Sequence, residues 1–144
     1  MAQLSNKFKL EVLKKQVDLL NDTLKVSLVV SGFQFSQATH GLLANVTASL
    51  LAAQYGYSPA TLVNAQGVQD NVANEGYVTY NNVAWTATGG DIGPSPGAII
   101  WDDTHPDDIV VGYIAFGSNK TVFEAGIFTI ADINVGIGPD PTAQ

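Results

Sequence analysis

The chain has 144 residues, no cysteine and a formal net charge of −7. The missing thiols exclude disulfides, thiolate zinc sites and a cysteine nucleophile. The acidic balance, with six lysines and no arginine, argues against nucleic acid as a partner, because duplex binding needs several phosphate-neutralising cations.

Lys7, Lys9, Lys14, Lys15 and Lys25 all lie in the first 25 residues, and only Lys120 follows. The basic start reads as a solvated helix face or as a docking element for an acidic partner; either the segment Met1 to about Lys15 or exposed loops are expected to dock. No apolar run reaches the ~18–20 residues of a membrane span, so no membrane partner is expected. The N-terminus lacks the apolar core and cleavage pattern of a signal peptide. Charged residues make up only 13% of the chain, about half the usual ~25%, which suits a surface packed against neighbours and also an ordinary secreted-type β domain.

A helix is expected over 7–21. Leu13, Val17, Leu20 and Leu24 fall on one helical stripe, and Ser5 or Asn6 can cap its start. The stripe has to be buried, on its own sheet in the favoured reading or on a partner. From Leu24 the period changes to two, giving a strand over 24–31 that Gly32 ends. A short helix over 38–45 and an edge strand over 48–57 are expected next. The Asn- and Gln-rich stretch 64–74 reads as loop or marginal strand.

Strands follow over 77–88, 98–103, 108–116 and 121–130, separated by turn signals at Gly89–Gly97, Asp102–Asp108 and Gly117–Lys120. Val83, Trp85 and Ala87 point one way, so Trp85 is expected in the core, and Trp101 likewise. The ends, 1–6 and 136–144, have little to pack against and read as loose. The whole is a mainly β chain: a single domain over 1–144, with a β-sandwich or flattened barrel over 24–130 and one N-terminal helix.

Chemistry is sparse. His40 and His105 have no nucleophile motif or partner histidine at ligand spacing. Gly89-Gly90-Asp91-Ile92-Gly93 lacks the ending of a phosphate loop. Asn45 and Asn119 are formal glycosylation acceptors that matter only on a secretory route. Asp102, Asp103, Asp107 and Asp108 form the one candidate metal site, through oxygen ligands to Ca²⁺. They lack the spacing of a calcium loop, and a solvated hairpin turn is the favoured reading of them. No catalytic residue and no cofactor are assigned.

The succession Val17-Asp18-Leu19-Leu20-Asn21-Asp22-Thr23-Leu24-Lys25-Val26-Ser27-Leu28-Val29, then Thr39-His40, Val83-Ala84-Trp85-Thr86-Ala87, Ala98-Ile99-Ile100-Trp101-Asp102-Asp103-Thr104, Ile114-Ala115-Phe116-Gly117 and Gly126-Ile127-Phe128-Thr129-Ile130 resembles small virion proteins of tailed bacteriophages. It runs from about residue 7 to 130, and the order of the motifs carries it. The resemblance implies a non-enzymatic capsid decoration (cement) protein on the outer shell. Its implied partners are the phage major capsid protein and further copies of itself, as a trimer, with residence in the host cytoplasm during assembly. A tail or head-fibre component is the alternative. From another class, a glycan-binding sandwich would use Tyr77, Tyr80, Trp85, Trp101 and Tyr113 as stacking faces. The Gly93–Gly97 loop and the Pro139–Gln144 tail depart from the resemblance.

Overall fold

A computed structural model of the chain describes residues 1–139. It is mainly β, with antiparallel sheets packed in a sandwich-like arrangement around one short N-terminal helix, as the alternation implies. The strands are β1 (Gln3–Leu4), β2 (Leu24–Leu28), β3 (Ala60–Thr61), β4 (Gln66–Asp70), β5 (Glu75–Thr79), β6 (Val83–Thr86), β7 (Ile92–Asp102), β8 (Ile109–Val122), β9 (Ile127–Ile130) and β10 (Asn134–Ile137). The helices are α1 (Asn6–Leu13) and the one-turn α2 (Leu43–Val46). A five-stranded sheet runs β1-β8-β7-β2-β3, a three-stranded sheet runs β10-β5-β4, and β6 pairs with β9.

Period-two alternation explains how the large sheet is covered on both faces. Leu24, Val26 and Leu28 of β2, with Ala98 and Ile100 of β7, join the main core with Phe8 of α1 and Trp85, Phe128 and Val135 of the smaller sheets. Ile99, Trp101, Val110 and Tyr113 face the other way, into a second cluster covered by Phe33, Phe35 and Leu43. A bulge in β8 keeps these sets in phase. Ile100 pairs with Gly112 but Trp101 pairs with Val110, so Val111 is the extra residue. Trp101 is buried as expected, and its Nε1 donates to Ser27 Oγ at 3.0 Å.

Several expected boundaries are corrected. The helix expected over 7–21 stops at Leu13. Lys15 takes a left-handed φ of 59°. Gln16 N then donates to the Glu11 carbonyl at 2.8 Å and Lys15 N to the Val12 carbonyl at 3.0 Å, the two bonds of a Schellman closure. Beyond it, Asp18 Oδ1 accepts from the amides of Leu20 and Asn21 at 3.0 and 3.3 Å, a local turn that competes with helix. The stripe therefore splits: Val17 and Leu24 are buried, whereas Leu13 and Leu20 are exposed.

The start is also better ordered than expected. β1 pairs Gln3 with Tyr113 and Leu4 with Gly112, and Ala2 and Ser5 are buried. Ser5 caps α1 by accepting from Phe8 N at 3.0 Å, and its hydroxyl donates to the Val110 carbonyl. Ser5→Ala removes both bonds and should cost about 1–2 kcal/mol in a urea melt. An unchanged midpoint would show that water replaces the cap.

Strand 24–31 is shorter, ending at Leu28 with only a bridge from Val29 to Leu50. The helix expected at 38–45 lies at Leu43–Val46, and 48–57 is turn rather than strand. Residues 66–79 form a hairpin, so the polar stretch is partly strand. The expected strand 77–88 is two, in different sheets, broken at Tyr80–Asn82. β7 and β8 run through both the Gly93–Gly97 and Gly117–Lys120 turn signals. Pro94 and Pro96 fall at register shifts between the ladder pairs Ile92–Val122, Ser95–Lys120 and Gly97–Ala115, positions where no ladder N–H is needed. The last expected strand, 121–130, is shared between the end of β8 and β9, with a turn at 123–126. Of the tail expected to be loose, Gly136 and Ile137 belong to β10; 140–144 lie outside the described residues.

Candidate functional site

The four candidate metal ligands do not converge. Asp102 is completely buried at the end of β7, whereas Asp103 and Asp107 are exposed and Asp108 is half-buried. Among the described residues no group of three or more His, Asp or Glu side chains is placed to hold a metal ion. The turn does join β7 to β8 as a hairpin, but it is not simply solvated. Asp102 shares the core face with Ile100, pairing with Leu24 on one side and Ile109 on the other. Its Oδ1 accepts from Thr104 N at 2.8 Å and His105 N at 3.2 Å, folding the turn back on itself. Its Oδ2 is buried without a donor.

Asp22 places a second carboxylate against Asp102. Burial first, and then contact with Asp22, pushes the Asp102 carboxyl up to about 6. A proton on Oδ2 would satisfy both oxygens by donating to Asp22. Tyr80 stands nearby, its hydroxyl donating to the Leu19 carbonyl at 2.8 Å. Burial and then the carboxylates of Asp102, Asp18 and Asp22 push its phenol above the ordinary value.

His105 pins the other end of the turn to α1. Its Nδ1 accepts from Asp107 N at 3.1 Å, which leaves Nε2–H to donate to Glu11 Oε2 at 3.1 Å. Glu11 Oε1 also accepts from Lys7 at 3.0 Å and Lys14 at 3.3 Å. The Lys7 bond first, then His105 and Lys14, outweigh burial and hold the Glu11 carboxyl down at about 2. This arrangement is a structural clamp between the helix and the hairpin turn. His40 is elsewhere, stacked on Phe33 at 5.3 Å and accepting from Ser36 N at 3.0 Å.

Four of the five aromatics available for glycan stacking, Tyr80, Trp85, Trp101 and Tyr113, are buried. They offer no open ring face.

The open apolar surface lies beside α1, within the Met1–Lys15 segment expected to dock. Two adjoining hollows of about 450 and 440 Å³ separate α1 from the three-stranded sheet, sharing Phe8, Val12, Gly136 and Ile137 as walls. Leu13 and Ile137 on the rim are 83% and 69% exposed, and Lys9 lines the same rim. The signal in the sequence was the helix stripe. That stripe is expected to be buried on the sheet or on a partner; because α1 ends at Leu13 and Lys15 turns left-handed, Leu13 is left open at the groove rather than packed on the sheet.

A scan against protein-family models, a search of curated proteins and a search of solved structures each found no match to this chain.

Proposed function

We propose that this chain is a structural component of a tailed-bacteriophage particle, a decoration protein that clamps neighbouring major capsid subunits on the outer shell and catalyses no reaction. The observation that carries the reading is the apolar groove beside α1, open to solvent on a chain with only 13% charged residues. An open apolar groove of this kind, rimmed by the exposed Leu13 and Ile137, suits an interaction face. The resemblance of the motif order to that of small phage virion proteins is the second ground for this reading. Repetition around particle symmetry would turn modest single contacts into durable attachment.

Particles lacking the protein should assemble but release their contents at lower temperature or lower ionic strength than complete particles. Salt should strip the protein only partially. Exposed ion pairs contribute ~0–1 kcal/mol each, so screening touches the smaller part of the binding energy. Quantitative mass spectrometry of purified particles should find the chain in numbers comparable with the shell subunits. A few copies confined to the tail would overturn the decoration reading and leave the tail component in its place.

A further inference from the structure

The apolar groove has a matching knob at the far end of the same molecule. Phe123, in the turn between β8 and β9, is 74% exposed, and Ile127 beside it is 62% exposed. The turn holding Phe123 is rigid. Gly126 N donates to the Phe123 carbonyl at 2.8 Å, Glu124 N to Asp91 Oδ1 at 3.0 Å, and Ala125 N to the Ala87 carbonyl at 2.8 Å. A phenylalanine held this way loses little freedom on binding. Glu124 and Asp91 place two carboxylates at its base.

Charge separates in the same direction. Residues 1–25 carry five lysines against three carboxylates, and the remainder carries one lysine against ten. Lys9 lines the groove itself, and Lys15 stands exposed just past α1. Groove and knob cannot meet within one chain. Ser5 at the start of α1 bonds to Val110 and Val111 of β8, whereas Phe123 follows the last residue of that strand. At ~3.3 Å per residue, Val111 and Val122 lie up to roughly 35 Å apart along β8.

We infer that the groove receives Phe123 of a second copy, so that copies associate head to tail. A heterologous contact of this kind closes into a ring when its rotation allows. The Phe123 ring would enter beside Leu13 and Ile137, with Glu124 and Asp91 facing Lys9 and Lys15. This association belongs to the free chain, so its failure would leave the particle reading to its own test.

Sedimentation velocity of the full chain tests it. The wild type should associate with rising concentration up to ~100 µM, more tightly at low salt. Phe123→Asp and Leu13→Asp, both at exposed positions that the fold does not need, should each weaken association by about 30-fold or more, as loss of an interface anchor does. A one-to-one mixture of these two variants retains one intact groove and one intact knob, so it should form a heterodimer and nothing larger. Lys9→Glu should weaken association, and adding Glu124→Lys should restore it. A wild type that stays monomeric at ~100 µM, or that associates only once residues 140–144 are removed, overturns the inference. The second outcome would assign the groove to the chain's own end. An assembling wild type whose variant mixture stays monomeric overturns it too, because the contact would then not be head to tail.

Discussion

Trp85→Ala is expected to lower the unfolding free energy by about 3–5 kcal/mol, the range for truncating a large core side chain. β6 and β9 form only a two-stranded ribbon, which is marginal alone. Trp85 attaches that ribbon to the rest of the molecule. It pairs directly with Phe128 across the ribbon and meets Tyr57 edge-on at 5.1 Å between centroids. Its Nε1 donates to the Ser58 carbonyl at 2.8 Å. Truncation would leave a cavity among Tyr57, Phe128 and Val83 and strip that carbonyl of its donor. Trp85→Phe keeps most of the packing and loses the hydrogen bond, so its cost should fall nearer 1–2 kcal/mol. Urea melts followed by far-ultraviolet circular dichroism would check both values. An unchanged midpoint for Trp85→Ala would show that the ring does not hold the ribbon.

The alternation that placed Trp85 was legible because β6 obeys period two without interruption. Val83 and Trp85 are buried while Ala84 and Thr86 are exposed. The same rule applied to Ala98-Ile99-Ile100-Trp101-Asp102 already puts Asp102 on the face of Ala98 and Ile100. Reading the acidic run as one solvated turn obscured this. Other features depended on partners far away in sequence. The Pro-Ser-Pro stretch became strand because β8 extends opposite it with register shifts that accommodate the prolines. The helix was overextended because an apolar stripe carries no information about a left-handed lysine at its end. Without that stop, the stripe groups Leu13 with the buried residues, whereas it stands 83% exposed at the edge of the groove.

Asp102→Asn is expected to stabilise the protein at neutral pH and to leave it nearly unchanged at pH 4. The folded-state carboxyl titrates at about 6, above its ordinary value of 3.8. A group raised on folding contributes its stability fully below the unfolded value and loses it as pH rises through the folded one. Between pH 4 and 6 the wild type should therefore become less stable as the buried Asp102 carboxyl ionises beside Asp22. Asparagine keeps an oxygen for the amides of Thr104 and His105, and its NH₂ can donate to Asp22 as the protonated acid would. Above pH 6 the variant should gain about 1–3 kcal/mol over the wild type, the span corresponding to this shift after relaxation of a coupled pair. Glu11 works with the opposite sign. Its carboxyl is held down at about 2 from an ordinary 4.5, so its contribution is present above 4.5 and is lost as pH falls toward 2. Of these two groups, Asp102 favours folding at lower pH and Glu11 above 4.5, so Asp102→Asn should extend the pH range of full stability toward neutrality. Urea midpoints of both proteins at pH 3, 4.5, 6 and 7.5 would trace the difference. Parallel curves across that range would mean that Asp102 holds no shared proton and that the buried oxygen is satisfied in another way.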